Sequence, residues 1–561
     1  MRRGWLCLTV ILSVSLQACQ APEGTKAPDS PQGISSESET SAKGSPSAED
    51  FGDIFITASI GDASNLIPYL SADSASADIA EMVFASLLTA DKNLDLTPEI
   101  AESWEISSDQ KTITFHLRKN VKWHDGQPCT AKDFLYQYEM MIHPDMPSGY
   151  KEDFLQVSRA EAPDDYTFKV TFKEPYAPAL VRIGGMTGLP RHLLKNVKPA
   201  DIIKSPLARK PVGNGAWRFV EWKDQTHIIL ESNPGHYDGK PMMARTITRV
   251  IPDTATQFLE LKSGGIDMMG LQPLQYLKQT GSPEFSGNYA KYKYLASAYT
   301  YLGYNLKRPM FADKRVRQAI AAAIDKKELI DGVLMGLGQE AVGPYKPGTW
   351  AYKADTQSIK YNPTRARELL KEAGWADSDG DGMVDKNGKP FEFEIITNQG
   401  NAMRAKTAEI IQQRLKQVGV KVNIRIVEWS SFINNFINKR NFDVCLLGWT
   451  IGLDPDQYSI WHSSKTGEQE LNFISYSNKE VDGILTAARK TFDREEREKL
   501  YYRFQDILAD EQAYTFLYVP EALPIVSKRV RGIDPGPAGI AYNFNKWWIP
   551  KAEHKRPLMA Q

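Results

Sequence analysis

Cysteine is close to missing from this chain. Four occur in 561 residues, and Cys7 and Cys19 fall in the N-terminal segment, so the body holds Cys129 and Cys445 alone. A disulfide-rich scaffold is thereby excluded. Two buried free thiols are the simpler reading, and one long-range disulfide is the other. An excess of one charge is missing too: 68 basic and 69 acidic side chains give a net charge of -1. No basic stripe forms, which excludes the phosphate neutralisation that nucleic-acid binding demands. Past the N-terminus no apolar run is long enough to span a bilayer. HExxH, Walker A and GxSxG patterns are absent, and no internal repeat marks a solenoid or propeller. What remains is an ordinary globular composition, 42% hydrophobic and 24% charged, with length for two or three cores.

What is present begins with MRRGWLCLTVILSVSLQAC. Two arginines precede an apolar run from Trp5 to Leu16, too short for a bilayer and suited to a secretory segment. The ending Leu16-Gln17-Ala18-Cys19 resembles the lipobox of bacterial lipoproteins. That resemblance implies removal of residues 1–18 and acylation of Cys19; an ordinary cleaved signal peptide is the alternative. Residues 20–50, rich in Ser, Pro, Gly and Glu, bury too little apolar surface to offset their ordering entropy. They read as a flexible tether.

The body alternates strands and helices. KTITFHLRKNVKW carries apolar residues at period two, Ile113, Phe115 and Leu117, and runs into an Asp125-Gly126 turn. NPTRARELLKEAGW predicts a helix capped by Asn362, opened by Pro363 and stopped by Gly374. FADKRVRQAIAAAIDKKELI predicts another. VKVNIRI reads as a strand, FDVCLLGW as a strand buried on both faces, and capped helices start near Asn478 and Asp493. The second half is mixed α/β.

Several stretches invite a chemical reading. His124-Asp125 lies just before Cys129, in the pattern of a nucleophile with its base, yet the local sequence defines no orienting partner or oxyanion site. Ser108-x-x-Lys111, Ser286-x-Asn288 and Lys465-Thr466-Gly467 reproduce the order of penicillin-binding enzyme motifs, but SSDQKTITF leads from a turn into a strand rather than opening a helix. DSDGDGMVD brings Asp377, Asp379, Asp381 and Asp385 into the spacing of a calcium loop. The bidentate Glu of such a loop is missing, since Gly388 holds its place. A structural Ca²⁺ is one reading and an acidic turn the other.

Five segments in register carry a wider resemblance. LLTADKNLDLTPEIAESWEISSDQKTITFHLRKNVKWHDGQPCTAKDF, PVGNGAWRFVEW, FADKRVRQAIAAAIDKKELI, YNPTRARELLKEAGW and NKEVDGILTAARKTFDREEREKLYYRFQDIL together resemble the extracytoplasmic solute-binding proteins of oligopeptide, dipeptide and nickel ATP-driven importers. The resemblance implies a type II periplasmic-binding-protein fold: an α/β bilobal clamshell of two mixed-sheet lobes, with an extra subdomain in lobe I and two hinge crossings. Lobe I would hold residues 51–306 and a return over 526–561, and lobe II residues 307–525. Under it, His124-Asp125 is a surface turn away from the cleft, with Thr130 capping the next helix, and the enzyme reading recedes.

The resemblance also implies candidate ligand contacts. In GWTIGLDPDQYSIWHS, Trp449 would wall the cleft beside Thr450. The acid that often pairs with a ligand ammonium is displaced to Asp454 or Asp456, which read equally well as loop and cap. Tyr301, Tyr304 and Asn305 in YLGYNLKRPMF would cross the hinge, facing either ligand or interlobe packing. Trp350 and Trp429 are weaker candidates, since a Trp is more often core. The expected function is a monomeric, lipid-anchored receptor that needs no cofactor. It would hand an oligopeptide to an ABC permease and its ATPase. An oligosaccharide receptor and a ligand-sensing signalling lipoprotein are the alternatives.

Overall fold

Apolar patterning decides which strands sit at the centre. The computed structural model describes residues 35–36, 45–70 and 73–556; the signal segment, Cys19 and much of the tether lie outside them. Among the described residues the principal sheet runs Lys421–Val427, Glu392–Asn398, Val444–Thr450, Ala298–Tyr304, Tyr514–Ala522, Tyr289–Leu295, Pro524–Ser527, Met268–Gly270, Gly52–Ser59, Met243–Val250, His227–Ser232, Trp217–Lys223. Val444, Cys445 and Leu446 are fully buried, as a strand covered on both faces requires.

Separate cores divide the body in two. One gathers Phe55, Val83, Trp123, Phe134 and Trp217 with the returning Val526 and Trp547. The other lies on both faces of the sheet, with Leu302, Val316, Phe393 and Leu446 on one side and Tyr301, Cys445, Trp461 and Phe504 on the other. Two connections join the halves: Tyr289–Leu295 continues into Ala298–Tyr304, and Tyr514–Ala522 continues into Pro524–Ser527. They run antiparallel side by side, Tyr294 opposite Ala522 and Leu295 opposite Glu521. The first crossing therefore precedes Tyr301, where the sequence had suggested it. Ala298–Tyr304 is already paired along its length with Val444–Thr450 of the second half.

The first half carries a separate antiparallel sheet of Ala101–Ile106, Thr112–Leu117, Thr167–Phe172 and Val157–Asp164. Helix Ala131–Ile142 covers it, Phe134 meeting Phe168 at 5.9 Å. Local capping chemistry sets the helix ends. Asn362 accepts the Arg365 N–H at 2.9 Å, Pro363 opens that helix, and Gly374 follows it at φ +84°, a left-handed stop that suits glycine. Cys129 and Cys445 are both buried and free, and burial pushes the Cys445 thiol up to about 12.

His124 is a clamp. Its Nδ1 accepts the Gly213 N–H at 3.2 Å and its Nε2 donates to the Gly215 carbonyl at 3.0 Å. Burial drops its pKa to about 4, keeping the neutral ring that donates at one nitrogen and accepts at the other. Asp125 turns instead to His192, at 2.5 Å. The glycines so gripped touch the end of helix Ser74–Val83. Gly215 donates to the Val83 carbonyl at 2.9 Å, and a Cβ on Gly213 would lie 2.0 Å from that oxygen. Two sequence signatures thus lock together and fix one helix in place.

Candidate functional site

That helix forms one wall of a cavity of about 660 Å³ between the halves, within the usual size of a ligand cleft. Asp73 caps the helix by accepting the Ser76 N–H at 2.9 Å. Ser74, Ala77, Asp78 and Glu81, at helical spacing, face the cavity. Tyr150, Asp153 and Arg182 extend this wall. The opposite wall is the end of strand Val444–Thr450 with Arg404, Trp429 and the loop from Gly452 to Ile460.

Trp449, Thr450, Trp429, Asp454 and Asp456 all line this cavity. Trp449 is held by stacking on Phe473, ring centroids 5.8 Å apart, and by donating to the Tyr514 hydroxyl at 3.3 Å. Tyr301, Tyr304, Asn305 and Trp350 lie elsewhere. Tyr301 is fully buried and stacks on Tyr514 at 3.8 Å. Tyr304 shares a hydrogen bond with Thr515 at 2.7 Å. The Asn305 amide donates to the carbonyls of Arg440 and Phe442 at 3.1 and 2.9 Å. Trp350 packs on Tyr501 at 5.7 Å, with Arg497 over its ring at 5.7 Å. The strand bearing Tyr301 and Tyr304 reaches the cleft only at Ala298, Tyr299 and Thr300 before it enters the core.

The two candidate acids are already paired. Asp454 accepts a fork from Arg497 at 2.7 and 2.8 Å. Asp456 accepts Arg489 Nε at 3.0 Å and Nη2 at 2.6 Å. Burial works to raise the Asp456 carboxyl's pKa, but the Arg489 charge and hydrogen bonds hold it below the usual range. Arg489 also reaches Asp153 of the opposite wall at 3.2 Å, and Lys465 reaches Glu152 at 2.6 Å. The Ala177 N–H donates to the Arg489 carbonyl at 2.8 Å. These bonds tie the two halves shut beside the cavity, and they occupy the lysine of the KTG motif.

Sequence reasoning missed most of the charged groups that line the cavity, among them Arg404, Asp78 and Glu81. Arg404 donates to Asn398 at 2.8 Å, and its buried Nε has no partner. Burial alone lowers its pKa, and no ion pair to a carboxylate occurs among the described residues. A signal existed, since a cation in the first turn of helix Ala402–Lys416 opposes the helix dipole. Asp78 and Glu81 gave none, because their helix has an apolar face at Ile79 and Val83 and the acids read as its solvated side.

The acidic loop lies apart. Asp377, Asp379 and Asp381 each offer a carboxylate oxygen within 4.8 Å of the others, all exposed. Asp385 does not join them; it accepts the Ser378 N–H and hydroxyl at 2.9 and 2.6 Å.

Known proteins agree with this architecture. Oligopeptide-binding protein AppA of Bacillus subtilis is 33% identical over 555 residues, covering 97% of this chain and 98% of that protein. Its structure in complex with a nonapeptide superposes with a TM-score of 0.85 at 32% identity, over 89% of this chain and 99% of that one. NikZ of Campylobacter jejuni in complex with Ni(L-His) gives 0.79 at 27% identity, over 89% and 99%. DppA of Helicobacter pylori in complex with the peptide STSA gives 0.79 at 26%, over 90% and 99%. The fold is that of the type II periplasmic binding proteins. Such proteins are binding components of transport systems and not enzymes. The model of bacterial extracellular solute-binding proteins, family 5 middle, matches residues 95–470, and this chain belongs to that family.

Proposed function

We propose that the chain is a lipid-anchored extracytoplasmic receptor that captures an oligopeptide between its halves and delivers it to an ABC importer. One observation carries the peptide. Strand Glu392–Asn398 pairs with Val444–Thr450 only at Val444 and Cys445, so among the described residues the edge of Leu447–Thr450 that faces away from Ala298–Tyr304 has no strand partner where it borders the cavity. An extended peptide backbone can complete that edge by strand addition. Arg404 suits a ligand carboxylate, and Trp449 supplies an apolar face. Among the described residues no imidazole or thiolate lines the cavity, which disfavours a metal chelate as ligand. The halves close on ligand by hinge bending about the paired crossings.

Anchoring rests on the lipobox-like Cys19. No helix among the described residues is long and apolar enough to cross a membrane. The receptor acts as a monomer. Mass spectrometry of molecules that co-purify tests the ligand: peptides are expected, and a sugar would overturn the reading. Metabolic labelling with a fatty acid should mark the intact chain and spare Cys19→Ala. A structural Ca²⁺ at Asp377, Asp379 and Asp381 is the remaining part of the proposal. Calcium should raise the melting temperature, and Asp379→Ala should abolish that rise.

A further inference from the structure

Among the described residues most acids that line the cavity are paired, while Arg404 forms no ion pair with a carboxylate. Asp454 and Asp456 are satisfied by Arg497 and Arg489, and Asp153 by Arg489. Asp78 and Glu81 have no cationic partner among the described residues. Behind Glu81 the cleft opens into a side pocket of about 340 Å³ within the first half, whose lining shares Ala77, Glu81, Tyr150, Asp153 and Arg182 with the cleft. Tyr69, Tyr150 and Phe154 wall it, edge to face at 6.2 and 5.7 Å. Arg182, the one cation there among the described residues, is turned to Asp153 and Asp456 at 3.6 and 3.7 Å. In the cleft itself Gln457 is only 7% exposed, and its amide oxygen has no hydrogen-bond partner among the described residues. An acceptor buried in that state calls for a donor from the ligand.

We propose that this side pocket is a specificity site for a basic side chain, lysine or arginine, of the bound peptide. The aliphatic stem would lie against the three aromatic rings, whose faces favour a cation. The ammonium or guanidinium head would pair with Glu81, which lines both the pocket and the cleft, with the Asp78 charge beside it on the cleft side. A neutral side chain of the same shape would leave the two carboxylates uncompensated.

The inference rests on the peptide reading, and one experiment separates the two. Alanine pentapeptides carrying a single lysine or a single norleucine at each position are titrated calorimetrically. At one position lysine should bind at least about tenfold tighter than norleucine, which shares its stem and lacks its charge. In the double variant Asp78→Asn, Glu81→Gln that ratio should fall to near one. In Tyr150→Ala both lysine and norleucine should weaken at that position. Equal binding of lysine and norleucine throughout, or a preference that survives the double variant, overturns the side pocket and leaves the receptor intact. Failure of every pentapeptide to bind overturns both.

Discussion

The two walls of the cleft treat negative charge in opposite ways. On the second half, Asp454 and Asp456 are buried and forked by arginines from the helical segment that follows, so their charge belongs to the architecture. On the first half, Asp78 and Glu81 face the same cavity and are left for something else to neutralise. A carboxylate with good partners inside a protein is fixed and costly to disturb. One without them is unstable in its charged form and gains when a cation arrives. Position in the cleft therefore does not make an acid a ligand contact; the state of its partners does.

The largest effect that would break this contrast is the loss of Arg489. Arg489→Met leaves Asp456 and Asp153 buried with their main counter-ion gone, and should cost about 3–5 kcal/mol in urea denaturation. A loss below about 1 kcal/mol would mean that the network is solvated and that both walls behave alike. The Asp454–Arg497 pair sharpens the comparison. Each alanine variant should destabilise substantially, and the double variant should cost less than the sum, with a coupling of about 1–3 kcal/mol. Additive losses would show that the fork contributes nothing beyond packing.

The smallest effect concerns Asp78, whose pKa is raised to about 7 by partial desolvation within the cleft and by the nearby charges of Glu81 and Asp73. Between roughly pH 4 and 7 the folded, ligand-free protein keeps a proton that the unfolded chain releases. Its stability should therefore fall as pH rises through that window and level off above it. The side chain is open to cavity water, so screening keeps the change small. Melting temperatures at several pH values should show the slope, and Asp78→Asn should flatten it. A slope unchanged in the variant would assign it to another group.

Much of the fold was legible because local rules agree with the tertiary result. Asn362-Pro363 and Gly374 bound their helix as capping chemistry demands, and FDVCLLGW is buried on both faces as its unbroken apolar run implies. The HDGQPC segment proved to be a turn, although its reason was out of reach: His124 grips Gly213 and Gly215, far along the chain. The site was only half legible. Trp449 stood out by its loop, whereas Tyr301 and Tyr304, readable as either ligand contacts or interlobe packing, lie in the second core. Aromatic residue type reports the need for burial and not the side on which burial occurs.

By itself the sequence determined the mixed α/β class, the family likeness and the helix ends, since these follow from periodicity, capping and turn residues close together in the chain. Tertiary structure alone decided which charges are spent and which are open. Asp456 meets Arg489, Asp153 meets Arg182, and Asp78 meets no cation among the described residues, because pairing depends on distances between segments that the chain order does not contain.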